Sequence, residues 1–285
     1  MRYRYRKQGD RSFMRVRFWG VRGSIACPGA DTIRYGGNTP CIEVHCGNHV
    51  LIFDAGTGLR PLGNALMKNS ARREVEIFLT HCHLDHVTGL PFFAPFFVDG
   101  YKIGVWAGNL LPAASVEQVM RKIMSSPLFP VEVEIFRAGI TFHDFVSGDV
   151  LEPYPGVTLR TAPLDHPDGA SGYRLEYNGK IFAVISDTSG FPGNRDSELV
   201  SLARNADLIV YDATFTEEEI KTRETWGHST WERGVKLANV ANVKQLCLFH
   251  HDPSHDDDFM DGLAADAADA RPGTITAREG QIIDL

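Results

Sequence analysis

The residues best suited to chemistry lie in one short stretch, Thr80-His81-Cys82-His83-Leu84-Asp85-His86, which follows an apolar run typical of a buried strand. A strand that ends in a turn can point His81 and His83 inward together, while Asp85 and His86 reach a point a few ångströms away. Imidazole nitrogen and carboxylate oxygen suit zinc, manganese or iron, and paired metal ions lie roughly 3.5 to 4 Å apart. The spacing predicts a site for two divalent metal ions, with zinc favoured over manganese and iron.

Four isolated polar residues also follow apolar runs in the second half of the chain, namely His166, Asp187, Asp212 and His250. Each stands at a predicted strand end, where α/β proteins usually build their sites. Singly, each is more typical of a cap or a turn. Together with the six-residue motif at 81–86, they favour one shared site. His251 competes with His250, because strand alternation lets only one of two neighbours point into the site.

The elements that must position these residues are short strands and helices. Apolar patterning predicts strands at 16–19, 41–46, 50–53, 77–80, 157–162, 172–177, 180–185, 208–211, 246–249 and 281–285, and helices at 59–67, 114–123, 196–205, 230–240 and 256–270. Two successive halves therefore run from strands to helices. This order predicts the α/β class and an αββα sandwich, in which two mixed β-sheets lie face to face with helices on the outer faces.

Length and patterning also predict the domain organisation. The 285 residues include 43% hydrophobic ones, enough for a full core. We expect a single domain over 14–285, preceded by a flexible basic arm at 1–13. That arm carries five basic residues and no apolar segment after them, so it fits neither a signal peptide nor a membrane span.

Charge and cysteine content narrow the partners and the compartment. The net charge of −7 and the pI near 5.9 lack the overall basic footprint of a nucleic-acid-binding protein, so nucleic acid is not the favoured substrate. The five cysteines follow no disulfide or zinc-finger spacing, which favours a reducing, cytoplasmic location.

At these positions the sequence resembles the metallo-β-lactamase fold hydrolases. The resemblance extends over nearly the whole chain from Met14, because Phe53-Asp54-Ala55-Gly56-Thr57-Gly58 is similar to that superfamily's early strand-and-loop motif. It implies two ligand sets joined by a bridging Asp187: His81, His83 and His166 for one metal, and Asp85, His86 and His250 for the other. The family's His-x-x-Pro ending matches His250 and not His251.

Two positions separate branches of that superfamily. The β-lactamases proper tend to have cysteine at the bridging position, whereas its phosphodiesterases and nucleases tend to have aspartate, as here at Asp187. Flavin-linked di-iron relatives carry glutamate where this chain has His83. The resemblance therefore disfavours redox chemistry.

A closer resemblance, to the ribonuclease Z and related phosphodiesterase branch, rests on Asp212-Ala213-Thr214-Phe215 and Gly227-His228-Ser229-Thr230. It implies that His228 protonates the leaving oxygen and that Asp212 orients His228. The second motif also fits a helix N-terminus capped by Ser229 or Thr230. Both interpretations can hold, because capping uses the hydroxyl and not the imidazole.

These observations predict a dinuclear metal-dependent phosphodiesterase. Two metals lower the pKa of a bridging water until hydroxide exists near neutral pH, and this hydroxide would attack the phosphorus. Asp85 would accept the water's proton, and His228 would donate one to the departing alkoxide. The expected substrate is a small or nucleotide-like phosphodiester, for example a cyclic nucleotide, while the residues that bind it are not predicted.

Two alternative functions use the same site. One is a ribonuclease Z-like tRNA 3′ endonuclease, but residues 92–163 lack the basic, glycine-rich arm with which that enzyme grips tRNA. The other is hydrolysis of a non-phosphate ester, lactone or thioester at the same metals. The Asp212 and His228 pair counts against it, because a general acid is most useful for an alkoxide leaving group. A homodimer is implied by the resemblance alone.

Overall fold

The structure, a computed structural model, describes residues 13–68, 73–190 and 196–285. Apart from Phe13, the expected basic arm lies outside the described residues. The strands are β1 Met14–Gly20, β2 Cys41–Cys46, β3 His49–Phe53, β4 Glu74–Leu79, β5 Lys102–Ala107, β6 Gly139–Asp144, β7 Val150–Tyr154, β8 Val157–Leu164, β9 Ala170–Tyr177, β10 Lys180–Ile185, β11 Leu208–Asp212, β12 Gln245–Phe249, β13 Ile275–Thr276 and β14 Ile282–Asp284. The helices are α1 Leu59–Met67, α2 Leu84–Val87, α3 Val116–Ile123, α4 Asp196–Ala203, α5 Trp231–Val240 and α6 Asp257–Ala270.

The strands form two seven-stranded sheets with the same internal plan. The first has the order β14-β1-β2-β3-β4-β5-β6, and the second has the order β13-β12-β11-β10-β9-β8-β7. In the first sheet, neighbouring strands from β1 to β3 pair antiparallel, and neighbouring strands from β3 to β6 pair parallel. In the second sheet, neighbouring strands from β7 to β10 pair antiparallel, and those from β10 to β13 pair parallel. Both sheets are mixed, as the sequence predicted.

Three apolar layers hold the sandwich together. Between the sheets, Phe53 packs on Phe78 and Tyr173 with ring centroids 5.8 and 5.4 Å apart. On the outer face of the first sheet lie buried residues of α1 and α3, such as Leu62 and Met120. A third cluster joins the second sheet to α4, α5 and α6. This layering confirms the αββα architecture, because each sheet buries both of its faces.

Four strands were not predicted: β5, β6 and β7, which lie within residues 102–154, and the two-residue β13. In β6 only Ile140 and Phe142 are apolar and both are only partly buried, so the alternating pattern is too short to indicate a strand. Helix α6 buries Met260, Leu263 and Ala267 against the second sheet. No helix in the described parts of the chain is long and apolar enough to cross a membrane.

The carboxyl ends of β4, β8, β10, β11 and β12 meet at one edge of the sandwich. The two sheets are joined there directly, because the Ser171 backbone N–H donates to the Thr80 carbonyl at 2.8 Å. The chain turns sharply after three strands, with φ of 63° at Asp54, 58° at Asp187 and 62° at His250. Such left-handed conformations are uncommon outside glycine, and here each lies on a residue of the site.

Candidate metal centre

The first group of metal donors combines both halves of the chain. One ligand atom each from His81, His83 and His166 lies within 4.8 Å of the other two. In this group, His83 Nδ1 and His166 Nε2 lie 3.1 Å apart. His81 and His166 are buried, whereas the His83 side chain is 41% exposed and faces the opening of the site.

The second group contains the carboxylate of the motif. Asp85, His86 and His250 also offer ligand atoms within 4.8 Å of one another. Asp85 Oδ2 lies 3.3 Å from Nε2 of both His86 and His250. The Ser24 backbone N–H donates to the same oxygen at 2.7 Å, which anchors the carboxylate to the loop after β1.

Asp187 lies between the two groups. Its Oδ1 is 4.0 Å from His81 Nε2 and 3.2 Å from His250 Nε2, and its Oδ2 is 3.3 Å from His86 Nε2. The carboxylate therefore touches both donor groups, the position that the resemblance implied for a bridging ligand.

In the first sheet, hydrogen bonds orient the imidazoles from behind. His86 Nδ1 lies 3.0 Å from Asp54 Oδ2, and His81 Nδ1 lies 3.1 Å from Thr80 Oγ1. Thr80 donates its hydroxyl and its backbone N–H to Asp54 at 3.0 and 2.8 Å, so the hydroxyl oxygen is free to accept from His81. Both imidazoles thus carry their proton on Nδ1 and present Nε2 to the centre, as metal-binding histidines usually do.

The second sheet supplies equivalent contacts. His166 Nδ1 donates to the Gly227 carbonyl at 2.7 Å, and His250 Nδ1 lies 2.9 Å from Thr214 Oγ1. Thr214 in turn donates its hydroxyl to Asp212 Oδ1 at 2.7 Å. These contacts leave Nε2 of His166 and His250 facing the donor groups.

Two buried nitrogens at the centre fit a metal ion. Among the described residues, Nε2 of His81 is buried and has no hydrogen-bond partner. The equally buried Nε2 of His86 lies 3.3 Å from carboxylate oxygens of Asp85 and Asp187 but makes no hydrogen bond of good geometry with them. An unpaired buried polar atom is costly, and a coordinated cation removes that cost. The donor set of five imidazoles and two carboxylates therefore fits divalent metal ions.

The charges around the donor groups also favour a bound cation. Although burial opposes it, the charges of His250 and His86 hold the pKa of Asp187 well below its usual range. Conversely, burial lowers the pKa of His250, but Asp187 and Asp85 outweigh it and raise the value to about 9. The carboxylates thus stay ionised and attract positive charge, which protons supply when metal is absent.

Beside the donors stands a histidine–aspartate pair. His228 Nδ1 lies 3.1 Å from Asp212 Oδ2, and the imidazole is 11% exposed. The Thr188 backbone N–H donates to the same carboxylate oxygen at 3.1 Å. His228 also lies within ligand distance of Asp187 and His166, so the geometry alone allows it to be a metal ligand.

The helix that follows His228 begins as a capped helix. Thr230 Oγ1 accepts from the Arg233 backbone N–H at 3.2 Å and caps α5, while Ser229 Oγ pairs with the Tyr211 hydroxyl at 2.8 Å. Capping and the His228–Asp212 pair therefore coexist.

Of the two neighbouring histidines, the structure brings only His250 to the donors. His251 points the other way, and its Nε2 donates to the Ala277 carbonyl at 2.9 Å. Cys82 lies outside the donor groups and packs against the apolar cluster under α1 and α3.

Sequence reasoning did not assign Asp54, Thr80, Thr214 or Ser24 to the site. Asp54 had a usable signal, because it follows the end of β3 just as His81 follows the end of β4. Thr80 and Thr214 had no such signal, since threonine is common at strand ends and only the fold shows what its hydroxyl contacts. The sequence also did not indicate the burial of His255 and Asp257 near the start of α6, where each is 3% exposed.

Two mixed sheets packed with outer helices, and a histidine- and aspartate-rich centre at their strand ends, define a hydrolase of the metallo-β-lactamase fold. Residues 49–251 match the family described as "Beta-lactamase superfamily domain", and the chain belongs to that family. This confirms the resemblance found in the sequence. The fold implies divalent metal binding, which the two donor groups fit.

Among individual proteins, ribonuclease Z of Enterococcus faecalis is 25% identical over 292 residues, covering 84% of this chain and 88% of that protein. A diphosphatase of the PhnP family has a similar structure, with a TM-score of 0.67 and 18% identity over 96% of this chain and 97% of that one. The structure of zinc-bound PqqB of Methylobacterium extorquens is also similar, with a TM-score of 0.71 and 15% identity over 95% of this chain and 100% of that one. At such identities the two solved structures share the fold with this chain.

Proposed function

We propose that this protein is a dinuclear metal-dependent phosphodiesterase acting on a small or nucleotide-like phosphodiester, such as a cyclic nucleotide. The observation that carries the proposal is the His228–Asp212 pair, 3.1 Å apart, beside the two donor groups. A positioned acid is most useful when the leaving group is an alkoxide, and phosphodiesters of ordinary alcohols release one.

The proposed metal ligands are His81, His83 and His166 in one group, Asp85, His86 and His250 in the other, and Asp187 between them. Zinc is favoured because five of the seven ligands are imidazoles, and zinc-bound PqqB shares the fold. When bound, two such ions would lower the pKa of water and neutralise charge on a phosphoryl oxygen.

The protein's own groups would handle the protons. Asp85 keeps its carboxylate ionised, because the charges of His86 and His250 outweigh burial and lower its pKa. We therefore assign it as the acceptor of the proton of the attacking water. Asp212 accepts from His228 Nδ1–H and so orients Nε2, which we assign as the donor to the leaving oxygen. Hydrolysis balances when water adds oxygen to phosphorus and the alcohol leaves with the proton from His228.

A ribonuclease Z-like tRNA 3′ endonuclease is the second candidate, supported by the similarity to the Enterococcus faecalis enzyme. Residues 92–163, all described, fold into β5, α3, β6, β7 and most of β8, together with short turns. This interval contributes to both sheets instead of forming an extended basic arm. With a net charge of −7, we favour a small substrate over tRNA.

The test compares leaving groups. In His228→Ala, we expect metal content to remain at the wild-type level, while turnover of a diester with an alkyl leaving group falls about 10²- to 10⁴-fold. Turnover of bis-p-nitrophenyl phosphate should fall much less, because p-nitrophenolate departs without a proton. Metal content is measured by mass spectrometry of the purified protein, and His143→Ala, which changes a histidine on β6 stacked on Trp106, serves as the control.

Loss of metal in His228→Ala would make this residue a ligand and not the acid. A wider substrate panel, including a lactam, a thioester and precursor tRNA with defined zinc and manganese, distinguishes the alternatives. If the wild-type protein cleaves only the lactam or the thioester, or only the tRNA, the proposed function is wrong.

A further inference from the structure

An exposed indole stands at the edge of the centre. Trp226 is 57% exposed and lies two residues before His228. The residue between them, Gly227, has φ of 79°, and a Cβ there would lie 2.5 Å from His166 Nδ1 and 2.2 Å from Pro167 Cδ. The backbone beside Trp226 is thus packed tightly against a proposed metal ligand, and the exposed indole belongs to this same segment.

One buried ring supports both the indole and the proposed acid. Phe215 is 1% exposed, and its ring makes edge contacts with Trp226 and His228 at centroid distances of 6.2 and 5.8 Å. Trp226 and His228 are therefore fixed relative to each other through Phe215. Edge-to-face packing of this kind is a preferred aromatic geometry.

A guanidinium completes the surface. The Arg223 Cζ lies 5.2 Å from the Phe215 ring centroid and 5.6 Å from that of Trp226, within the range of cation–π contact. Arg223 Nη1 donates to the Glu219 carbonyl at 3.2 Å, which ties the side chain to its own loop. An exposed aromatic face beside a fixed cation is the combination with which proteins stack nucleobases.

We propose that Trp226 and Arg223 form the leaving-group subsite, and that the alcohol released carries an aromatic ring, with a nucleobase as the fitting class. The inference rests on the proposed function, because His228 marks the side from which the alcohol departs. The bond from phosphorus to that alcohol breaks, the proton from His228 goes to its oxygen, and the ring attached to it stacks on Trp226.

Turnover tests the ring directly. We compare two diesters that differ only in the leaving alcohol, benzyl or cyclohexylmethyl, which match closely in size and charge. The wild-type protein should prefer the benzyl compound in kcat/KM. Trp226→Leu should reduce that preference about tenfold, the size expected for one lost stacking contact, and Trp226→Phe should restore most of it. If kcat/KM falls equally for both compounds in Trp226→Leu, Trp226 has only a structural role and the inference is wrong.

Binding tests the subsite without turnover. In metal-loaded protein, adenosine should quench tryptophan fluorescence, and ribose should not. The quenching should persist in Trp106→Phe, which changes a half-buried indole stacked on His143, and disappear in Trp226→Leu. Adenosine quenching that survives in Trp226→Leu contradicts the subsite. If the wild-type protein turns over no diester at all, the proposed function fails, while adenosine quenching that depends on Trp226 still supports the aromatic subsite.

Discussion

At the scale of single residues, the centre depends on which nitrogen each histidine presents. His86 belongs to α2, which follows β4 of the first sheet, and His250 follows β12 of the second sheet. Each has Nδ1 beside an oxygen, from Asp54 and Thr214 respectively. Their Nε2 atoms therefore face the carboxylates. Thr214 also contacts Asp212, so one hydroxyl connects a proposed metal ligand to the residue that orients His228.

Replacing His250 and His251 one at a time tests which of them is the metal ligand. In His250→Asn, which keeps a residue tolerant of the left-handed conformation at this position, we expect loss of bound metal and of turnover. In His251→Asn, metal content should stay at the wild-type level, and the cost should be about 1–3 kcal/mol of unfolding free energy from the altered buried contact to Ala277. Metal analysis and denaturant unfolding measure the two effects. Metal loss in the His251 variant with retention in the His250 variant would reverse the assignment.

At the scale of elements, the loop after β1 closes over one donor group. Arg22 is fully buried and donates to the carbonyls of Gly36, Asp252 and His255 at 2.9, 3.1 and 2.6 Å. The guanidinium thereby fastens this loop to the segment after β12. Gly23 follows directly, and a Cβ there would lie 2.3 Å from the His250 ring, so only glycine permits this approach.

The close approach leads to a test on the loop. Gly23→Ala must displace either the loop or the His250 ring, and we expect at least tenfold weaker metal affinity, in the range found for disturbed metal surroundings. Gly29→Ala, in the same loop, is the control, because its Cβ would come no closer than 4.0 Å to the nearest atom and its φ of 177° is extended. Competition with a chelator measures affinity. Equal affinities in the two variants would show that the loop does not fix His250.

At the scale of the whole molecule, the two halves of the sandwich bring a dense set of charges into one buried site. Without metal, the carboxylates Asp85 and Asp187 are balanced by protonated His86 and His250. Burial lowers the pKa of both imidazoles, but the neighbouring carboxylates outweigh it and raise the pKa of His86 well above its ordinary value and that of His250 to about 9. Folding of the metal-free protein is therefore coupled to pH.

This coupling gives a pH signature. Because the folded pKa of His250 exceeds the unfolded value of about 6.5, its stabilising contribution is fully present below pH 6.5 and is lost as the pH rises through about 9. We expect the melting temperature of chelator-treated protein to fall over that window. Metal-loaded protein should show a flatter profile and a higher melting temperature, since metals replace the protons and bind the folded state more tightly than the unfolded chain. Parallel profiles for the two forms would contradict this account.

Much of the fold and of the candidate site could be predicted from local patterns. The strand before His81 and the helix at α5 have clear periodicity, and three histidines within six positions indicate metal chemistry directly. The strand β6 could not be predicted, because it buries no residue fully and its pattern is weak. Local patterns also did not assign roles to Asp54 and Thr214, whose contacts depend on residues far away in the chain.

The sequence by itself determined the class of fold, the donor types and the motif from His81 to His86, because periodicity and ligand spacing are local properties of the chain. Only the tertiary structure decided that His250 faces the donors and His251 does not, and that Trp226 lies exposed beside His228. These outcomes depend on strand direction and on packing between the two sheets. Residues more than a hundred positions apart become neighbours only when the strands that carry them end at the same edge.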